Sequence, residues 1–265
     1  MSMNKKKLFS TLYLFLIYAF LYIPLILLII YSFNQSKFSL FWKGFSLKWY
    51  LSLFHNSFLL KSALNSLILA TTSATLTTLL SLIGSLGLKY SPKANKNFWL
   101  AITNLALVSP DIIIGVSLLI IFTLLQLKLG FFTLLLSHLT LCLPFGVITF
   151  LSTLEHFDFN LLEVAQDLGA SEINVLRYIF LPLLWPAILS AWILSFTLSL
   201  DDVVISFFTT GPQFEILPLR IYSMVRVGIK PEVNALCTLL IILTFVFVGL
   251  AHFLLERNIK GGKRI

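Results

Sequence analysis

The run LFSTLYLFLIYAFLYIPLILLIIY at residues 8–31 contains no charged side chain and decides the class of fold. A transmembrane helix needs about 20 mostly apolar residues to cross the hydrocarbon core of a bilayer. Lys5, Lys6 and Lys7 precede the run, as basic residues precede the apolar part of a signal peptide. However, the run is longer than the apolar part of a signal peptide, and no small-residue cleavage site follows it. We therefore expect a retained membrane anchor.

The composition of the whole chain agrees with a membrane protein. Of its 265 residues, 58% are hydrophobic and 11% are charged, whereas a soluble domain carries about a quarter charged residues. The formal net charge is +8, but the basic residues lie between the apolar runs and at the two ends of the chain. Nucleic-acid binding needs a concentrated basic surface, and we therefore do not expect this chain to bind nucleic acid.

Five further apolar runs follow the first one. They cover residues 62–88, 98–125, 131–151, 182–210 and 235–255. The run 62–88 is rich in Ser, Thr and Gly, which allow helices to approach closely in lipid. The run 98–125 is interrupted by Ser109, Pro110 and Asp111. We predict an all-α, polytopic membrane protein in which six transmembrane helices form one domain over residues 1–265.

The distribution of Lys and Arg predicts the orientation of these helices. With the N-terminus inside, eleven Lys and Arg lie in cytoplasmic segments and eight in outer segments. Cytoplasmic loops carry the excess of basic residues, and the first helix usually dominates orientation. Because three lysines precede that helix, we predict a cytoplasmic N-terminus.

The segment between the fourth and fifth runs differs from the other loops because it is acidic. Asn160 can cap a short helix from Leu161, with Glu163 three residues later as in a capping box. Gly169 is placed to end this helix. The apolar residues Leu161, Val164 or Ala165, and Leu168 then share one face.

A second short helix follows the glycine. Ser171 can cap it, Ile173, Leu176 and Phe180 share a side, and Pro182 precedes the next membrane run. Two short amphipathic helices separated by a glycine are typical of a docking element. The alternative is a surface loop that packs against its own bundle.

These residues resemble the EAA loop of ABC importer permeases, E-A-A-x-x-x-G-x9-I-x-L-P. Glu163-Val164-Ala165, Gly169 and Ile179-x-Leu181-Pro182 match its spacing, and Val164 departs from it by replacing the first alanine. The resemblance implies a type I permease fold and a cytoplasmic coupling loop over about 155–181 that docks into an ATPase. The coupling residues it implies are Glu163, Val164, Ala165, Leu168, Gly169 and Pro182.

Other stretches make the chain similar to spermidine/putrescine permeases of ABC importers. They are SPDI at 109–112, QDLGASE at 166–172, LSLDDVV at 198–204, TGP at 210–212, EILPL at 215–219, IYSMV at 221–225 and PEVNAL at 231–236. The family resemblance implies a bacterial inner-membrane subunit that moves polyamines into the cytoplasm. This subunit is not itself an enzyme, contains no catalytic residue and holds no cofactor or metal.

The same resemblance implies the partners of the chain. They are two copies of an ATPase subunit, which bind ATP and Mg²⁺, a second homologous permease, and a periplasmic polyamine-binding protein. Membrane lipid surrounds the complex.

Three acids lie within apolar runs and are candidates for the substrate pathway: Asp111, Asp201 and Asp202. An ionisable group at bilayer depth costs about 2.5–3.5 kcal/mol on insertion scales, so a functional role is the default interpretation. A carboxylate near carbonyls freed by Pro110 suits an ammonium group, and Trp192 and Phe196 can add cation–π contacts. The adjacent acids at 201 and 202 point about 100° apart on a helix.

Structural alternatives exist for each acid. Asp111 can cap a kink through backbone N–H groups, and the pair at 201 and 202 can be a solvated helix end. Glu215 is expected to be a loop charge. Cys142 and Cys237 lie in apolar runs and are expected to be inert thiols. The four histidines show no partner spacing and are expected to be ordinary residues.

Two alternative functions stay open at this stage. The chain can be an ABC permease for another solute, because the binding protein sets most of the selectivity. It can also be a self-sufficient secondary transporter, channel subunit or membrane scaffold. The absence of an obvious inverted repeat in the sequence argues against a secondary transporter, and a coupling loop has no use without a partner.

Overall fold

The computed structural model describes residues 2–36, 41–227, 231–242 and 245. These residues are nearly all helical, and the only strand-like pairings among them are two isolated bridges, Asn34 with Phe45 and Gly211 with Phe214. The all-α class predicted from the sequence is confirmed.

The helices follow one another with short connections. They are α1 Ser2–Ser32, α2 Lys48–His55, α3 Ser57–Tyr90, α4 Lys93–Val108, α5 Asp111–Leu124, α6 Phe131–Glu155, α7 Asn160–Asp167, α8 Glu172–Val175, α9 Leu181–Asp201, α10 Val204–Thr209, α11 Leu217–Val227 and α12 Pro231–Ile242. A π-helical turn at Leu176–Phe180 joins α8 to α9, so helix continues from Glu172 to Asp201.

Among the described residues, four helical segments are long and apolar enough to span a membrane, and the bent pair α4 and α5 makes a fifth if it counts as one span. The four segments are Phe9–Ser32, Ser57–Tyr90, Phe131–Glu155 and Glu172–Asp201. The sixth predicted run, 235–255, begins in α12 and otherwise lies outside the described residues.

The predicted third span is two helices that meet at an angle of 109°. A proline disfavours helical geometry in the residue before it, and Ser109 accordingly has φ −67° and ψ 133°. Pro110 also lacks the N–H that would continue α4. The sequence interruption is therefore a sharp break, and Asp111 is the first residue of a new helix.

The chain divides into two compact units, Met1–Leu60 with Ile221–Ile265, and Lys61–Arg220. The expectation of one permease domain over residues 1–265 therefore stays a prediction. In the first unit, the buried Asn34 orders the loop after α1. Its Nδ2 donates to the Phe41 carbonyl at 2.8 Å and its Oδ1 accepts from the Lys43 N–H at 3.0 Å.

The second unit is built around close contact between α3 and α6. A buried stripe of small polar residues runs along α3, at Ser73, Thr77, Ser81 and Ser85. A Cβ atom on Gly146 of α6 would lie 2.6 Å from the Ser81 Oγ, so the glycine is what permits this approach. The expectation that the small residues of run 62–88 support close helix packing is therefore confirmed.

The predicted fifth run, 182–210, is also broken. Helix α9 ends at Asp201, Asp202 has the extended ψ of 123°, and α10 begins at Val204. Helix α10 then packs against α5, where a Cβ atom on Gly115 would lie 3.2 Å from the Ile205 Cα. The two chain breaks that carry acids thus lead into two helices that are in contact.

Candidate functional site

Helix α7 starts one residue earlier than predicted. It begins at Asn160, and the backbone N–H of that residue donates to the Asp158 Oδ1 at 3.1 Å. The prediction of Asn160 as the capping residue is therefore wrong, because Phe159 occupies the N-cap position. The Asp158 carboxylate accepts the Asn160 N–H, which the predicted capping box had given to Glu163.

The end of α7 is a Schellman motif centred on Gly169. The Ala170 N–H donates to the Ala165 carbonyl at 3.0 Å, and the Gly169 N–H donates to the Gln166 carbonyl at 2.8 Å. Gly169 has φ +88°, a conformation that residues with a Cβ rarely adopt. The prediction that the helix ends at this glycine is confirmed.

Helices α7 and α8 present an apolar surface to the outside of the chain, which we call the α7–α8 surface. Leu168 is 84% exposed, Ile173 is 72% exposed and Val164 is 55% exposed. Leu161 and Leu176 complete it and are also exposed. Leu161, Val164 and Leu168 precede the spanning segment Glu172–Asp201, and Ile173 and Leu176 lie at its start. An exposed apolar patch of this kind is typical of a surface that contacts protein or membrane.

The opposite side of α7 fixes the surface to the bundle. Leu162 packs against the buried cluster of Leu154, Phe180 and Leu184. Ala165 is half-buried, whereas Val164 is exposed. Of the two alternatives left open by the sequence, Val164 therefore shares the outer face with Leu161 and Leu168.

The face predicted for the second short helix is wrong. Phe180 is buried, whereas Ile173 and Leu176 are exposed, so the three residues do not share a side. Ser171 does occupy the N-cap position, but its side chain makes no capping hydrogen bond. Its carbonyl accepts from the N–H groups of Asn174 and Val175.

Lys89, near the end of α3, secures the start of this loop. Its ammonium donates to the Leu154 carbonyl at 3.0 Å and lies 3.3 Å from the centroid of the Phe159 ring. A cation at the carbonyl end of α6 is favoured by the helix dipole, and the ring contact adds a cation–π interaction. No sequence pattern singled out this lysine.

Two of the other predicted coupling residues lie in different surroundings. Glu163 is on the exposed side of α7 and makes no side-chain hydrogen bond or ion pair within the described part of the chain. Pro182 lies in the first turn of α9, after the π-helical turn, and is not part of the α7–α8 surface.

Asp111 is exposed at the start of α5 and makes no capping hydrogen bond. The alternative in which its carboxylate caps the kink is therefore wrong. Asp111 is thus a negative charge without an internal hydrogen-bond partner in the described residues.

Asp201 and Asp202 have different surroundings. Asp201 is the exposed last residue of α9, whereas Asp202 is 8% exposed and caps α10. The carboxylate of Asp202 accepts from the N–H of Ile205 at 3.2 Å and from the N–H of Ser206 at 2.8 Å. The alternative of a solvated helix end therefore fits Asp201 but not Asp202, and the two acids do not lie on one continuous helix.

His138 is a polar residue whose role the sequence did not indicate. It is fully buried in α6, and its ring nitrogens contact the hydroxyls of Ser199 at 2.6 Å and Ser206 at 2.9 Å. The structure thus gives His138 specific partners that the sequence did not indicate. Its partners lie more than 60 positions away in sequence, so no local spacing could identify them. A histidine inside a membrane run was the available signal.

No hydrogen bond or ion pair joins Asp111 to Asp201 or Asp202 within the described ranges. Their helices nevertheless meet, because Gly115, one turn after Asp111, contacts α10. Trp192 and Phe196 stack on α9 with ring centroids 5.1 Å apart, and the Trp192 indole N–H donates to Thr75.

The remaining candidates have local roles. Glu215 forms an ion pair with Arg220 at 3.6 Å, which agrees with a loop charge. Cys142 is fully buried and Cys237 is half-buried, and neither forms a disulfide. His252 lies outside the described residues.

Comparison with known proteins gives relatives along nearly the whole chain. The chain is 50% identical over 245 residues to the spermidine/putrescine transport system permease protein PotC of Escherichia coli K12, covering 92% of this chain and 93% of that protein. It is 37% identical over 250 residues to the putrescine transport system permease protein PotI of the same organism, covering 92% and 89%.

The fold is similar to that of a solved transporter. A chain of a bacterial ABC transporter involved in the import of the acidic polysaccharide alginate superposes with a TM-score of 0.74 at 16% identity, covering 95% of this chain and 97% of that chain. Residues 80–261 match the family described as binding-protein-dependent transport system inner membrane component. The chain therefore belongs to this family of inner-membrane permease subunits, which are not themselves enzymes.

Proposed function

We propose that this chain is the polyamine-translocating permease of an ATP-driven importer and that the α7–α8 surface couples it to an ATPase. The observation that carries the proposal is this surface, where Leu161, Val164 and Leu168 point outward while Leu162 is packed inward. Docking of a partner would remove the exposed apolar side chains from water.

Several features would keep the coupling surface rigid. The Schellman motif at Gly169 fixes the turn between the two helices, Lys89 holds the entry to α7, and Leu162 joins α7 to the bundle. A displacement of the ATPase would therefore move α7 together with the spanning helices. The ATPase dimer would bind ATP and Mg²⁺, and its motion would reach the bundle through this loop.

The substrate class is supported by charge and by similarity to relatives. Asp111 and Asp201 are exposed carboxylates beside the breaks that precede α5 and α10. An ammonium group that leaves water needs oxygen atoms in place of its hydration shell, and these carboxylates can supply them. The similarity to permeases of spermidine and putrescine systems favours the same cargo.

The complete importer would contain further subunits. We expect a second homologous permease beside this chain and a periplasmic binding protein that delivers the polyamine. The excess of basic residues in the inner segments supports a cytoplasmic position for the N-terminus and the α7–α8 surface.

The test is transport by the purified complex. The complex that co-purifies with the tagged chain is placed in vesicles, and uptake of labelled spermidine and putrescine is measured with and without ATP inside. We expect uptake only with ATP and with the binding protein present. Uptake that needs no ATP would contradict the coupling role, and uptake restricted to a solute other than polyamines would contradict the substrate.

A further inference from the structure

A cluster of four side chains joins three helices at the second chain break. We call His138, Ser199, Asp202 and Ser206 the His138 cluster. His138 Nδ1 lies 2.6 Å from the Ser199 Oγ, Nε2 lies 2.9 Å from the Ser206 Oγ, and Nε2 is 3.7 Å from Asp202 Oδ2. All four residues are buried, so these contacts are shielded from water.

The hydrogen bonds of the cluster have a single consistent direction. The Ser206 hydroxyl contacts Asp202 Oδ2 at 2.7 Å, and an ionised carboxylate can only accept, so this hydroxyl donates to Asp202. The Ser206 oxygen must then accept from His138 Nε2–H. A neutral ring with its proton on Nε2 leaves Nδ1 to accept from the Ser199 hydroxyl.

This chain of hydrogen bonds fixes the shape of the break between α9 and α10. Asp202 departs from helical geometry and caps α10 only while its carboxylate faces the N–H groups of Ile205 and Ser206. His138 orients Ser206, and Ser206 orients the carboxylate. Asp201, the residue before the break, is thereby left exposed at the end of α9.

We propose that His138 is a positioning residue of the transport pathway, which holds Asp202 as the cap of α10 and so presents Asp201 alone to the substrate. The inference rests on the proposed function for the role of Asp201. It assigns different tasks to two adjacent acids and gives the histidine a task that requires its Nε2–H.

Two substitutions, His138→Gln and His138→Asn, test the contacts of Nε2 and Nδ1 separately. The glutamine amide of His138→Gln reaches the region of Nε2 and can donate to Ser206. The shorter amide of His138→Asn reaches the region of Nδ1 and keeps only the contact with Ser199. His138→Phe fills the ring volume and removes both nitrogens. If His138 acts through Ser206, Gln should replace it, whereas Asn and Phe should not.

The first readout reports the position of residue 201 and needs no polyamine. Asp201→Cys is introduced together with Cys237→Ser, and its labelling rate with a cationic thiol reagent is measured in the assembled complex. The His138→Gln background should keep the rate within about twofold, and His138→Asn and His138→Phe should change it by about tenfold, the effect of leaving one buried hydroxyl without its hydrogen-bond donor. The same variants with Asp201 intact report any labelling of the buried Cys142.

The second readout is spermidine uptake by the His138 variants with Asp201 intact. His138→Asn should raise the apparent KM about tenfold at unchanged ATPase co-purification, and His138→Gln should restore it. If His138→Phe does not assemble, the Gln and Asn pair decides. Equal labelling and equal KM for Gln and Asn would overturn the inference. The labelling rates do not depend on the cargo. If the unmodified complex failed to transport polyamines, the proposed function would be wrong, but the labelling rates would still test the positioning role of His138.

Discussion

Asp111, Asp201 and Asp202 differ in what replaces water around each carboxylate. Asp202 accepts backbone and hydroxyl hydrogen bonds inside the bundle. Asp111 and Asp201 are exposed and have no such partner in the described residues. A polyamine ammonium could contact these two acids without breaking an internal bond, whereas contact with Asp202 would compete with the cap of α10. We therefore propose that Asp111 and Asp201, rather than Asp202, contact the substrate.

At Asp111, removal of the charge should affect transport more than folding. Asp111→Asn keeps the shape of the side chain, and no internal hydrogen bond is lost. We expect spermidine uptake to fall about tenfold, since a hydrogen bond to a charged group contributes about 1.5–3 kcal/mol. Radiolabelled uptake at matched protein level measures this. Wild-type uptake in the variant would remove Asp111 from the pathway.

The same substitution by asparagine should have different effects at Asp201 and at Asp202. Asp202→Asn replaces one carboxylate oxygen that accepts from the N–H groups of α10 by an NH₂ group, which cannot accept. We expect the free energy of unfolding to fall by about 1–3 kcal/mol. Asp201→Asn should leave thermal unfolding unchanged and reduce uptake. The midpoint of unfolding in detergent and the uptake rate are measured on both variants. A lower midpoint for Asp201→Asn with an unchanged one for Asp202→Asn would reverse the assignment.

Gly169 is required for its backbone conformation, because a Cβ atom at this position would meet no atom within 4 Å. Gly169→Val should cost about 1–2 kcal/mol in the left-handed region, distort the turn and reduce ATP hydrolysis stimulated by the loaded binding protein. Gly169→Asn is the matched control, since asparagine tolerates this region. Equal loss of stimulation in both variants would show that side-chain size, rather than φ, matters there.

At the scale of the element, α7 is a short helix with two different apolar faces. Leu161 and Leu162 are neighbours in sequence, but the first is exposed and the second packs on the bundle. Leu168→Ser and Leu161→Ser should reduce co-purification of the ATPase and leave the unfolding temperature unchanged. Leu162→Ser should lower that temperature, because it removes packing from the cluster below α7. A drop in stability in all three variants would mean that the outer face is not free in the subunit.

Much of each element could be predicted from the sequence, because apolar runs and glycines act locally. The run 131–151 became α6, and Gly169 ended α7 as expected. The 109° bend at Ser109 and Pro110 was anticipated as an interruption, but its angle depends on packing against α10. The cap formed by Asp202 could not be predicted, because apolar residues resume at Val203 directly after the two acids and no proline or glycine marks a helix end there.

At the scale of the molecule, the two ends of α6 should lie on opposite sides of the membrane. The helix has 25 residues, which correspond to about 37 Å and exceed the hydrocarbon core. In a Cys237→Ser background, a membrane-impermeant thiol reagent should label Lys128→Cys in intact spheroplasts and Ser171→Cys only after the membranes are opened. The reverse pattern would place the N-terminus outside.

The parts of the site differed in how far the sequence could place them. The α7–α8 surface is contained in the sixteen consecutive residues 161–176, so spacing alone identified Leu168 and Gly169 and left Val164 or Ala165 for the outer face. His138 and Lys89 act on residues from other helices, and only the folded bundle brings them together. Long-range polar contacts of this kind leave no periodic trace along the chain.

The π-helical turn at Leu176–Phe180 determines how far α8 is rotated about the helix axis relative to α9. Such a turn holds about one residue more than an α-helical turn, and one residue corresponds to a rotation of about 100°. Pro182, which has no N–H to donate to the preceding turn, accounts for the irregularity. Removing a single residue from 176–180 would therefore rotate α8 by about a quarter turn relative to α9. With any of residues 177–180 removed, Ile173 would face another direction, although every side chain of the α7–α8 surface would still be present in the sequence.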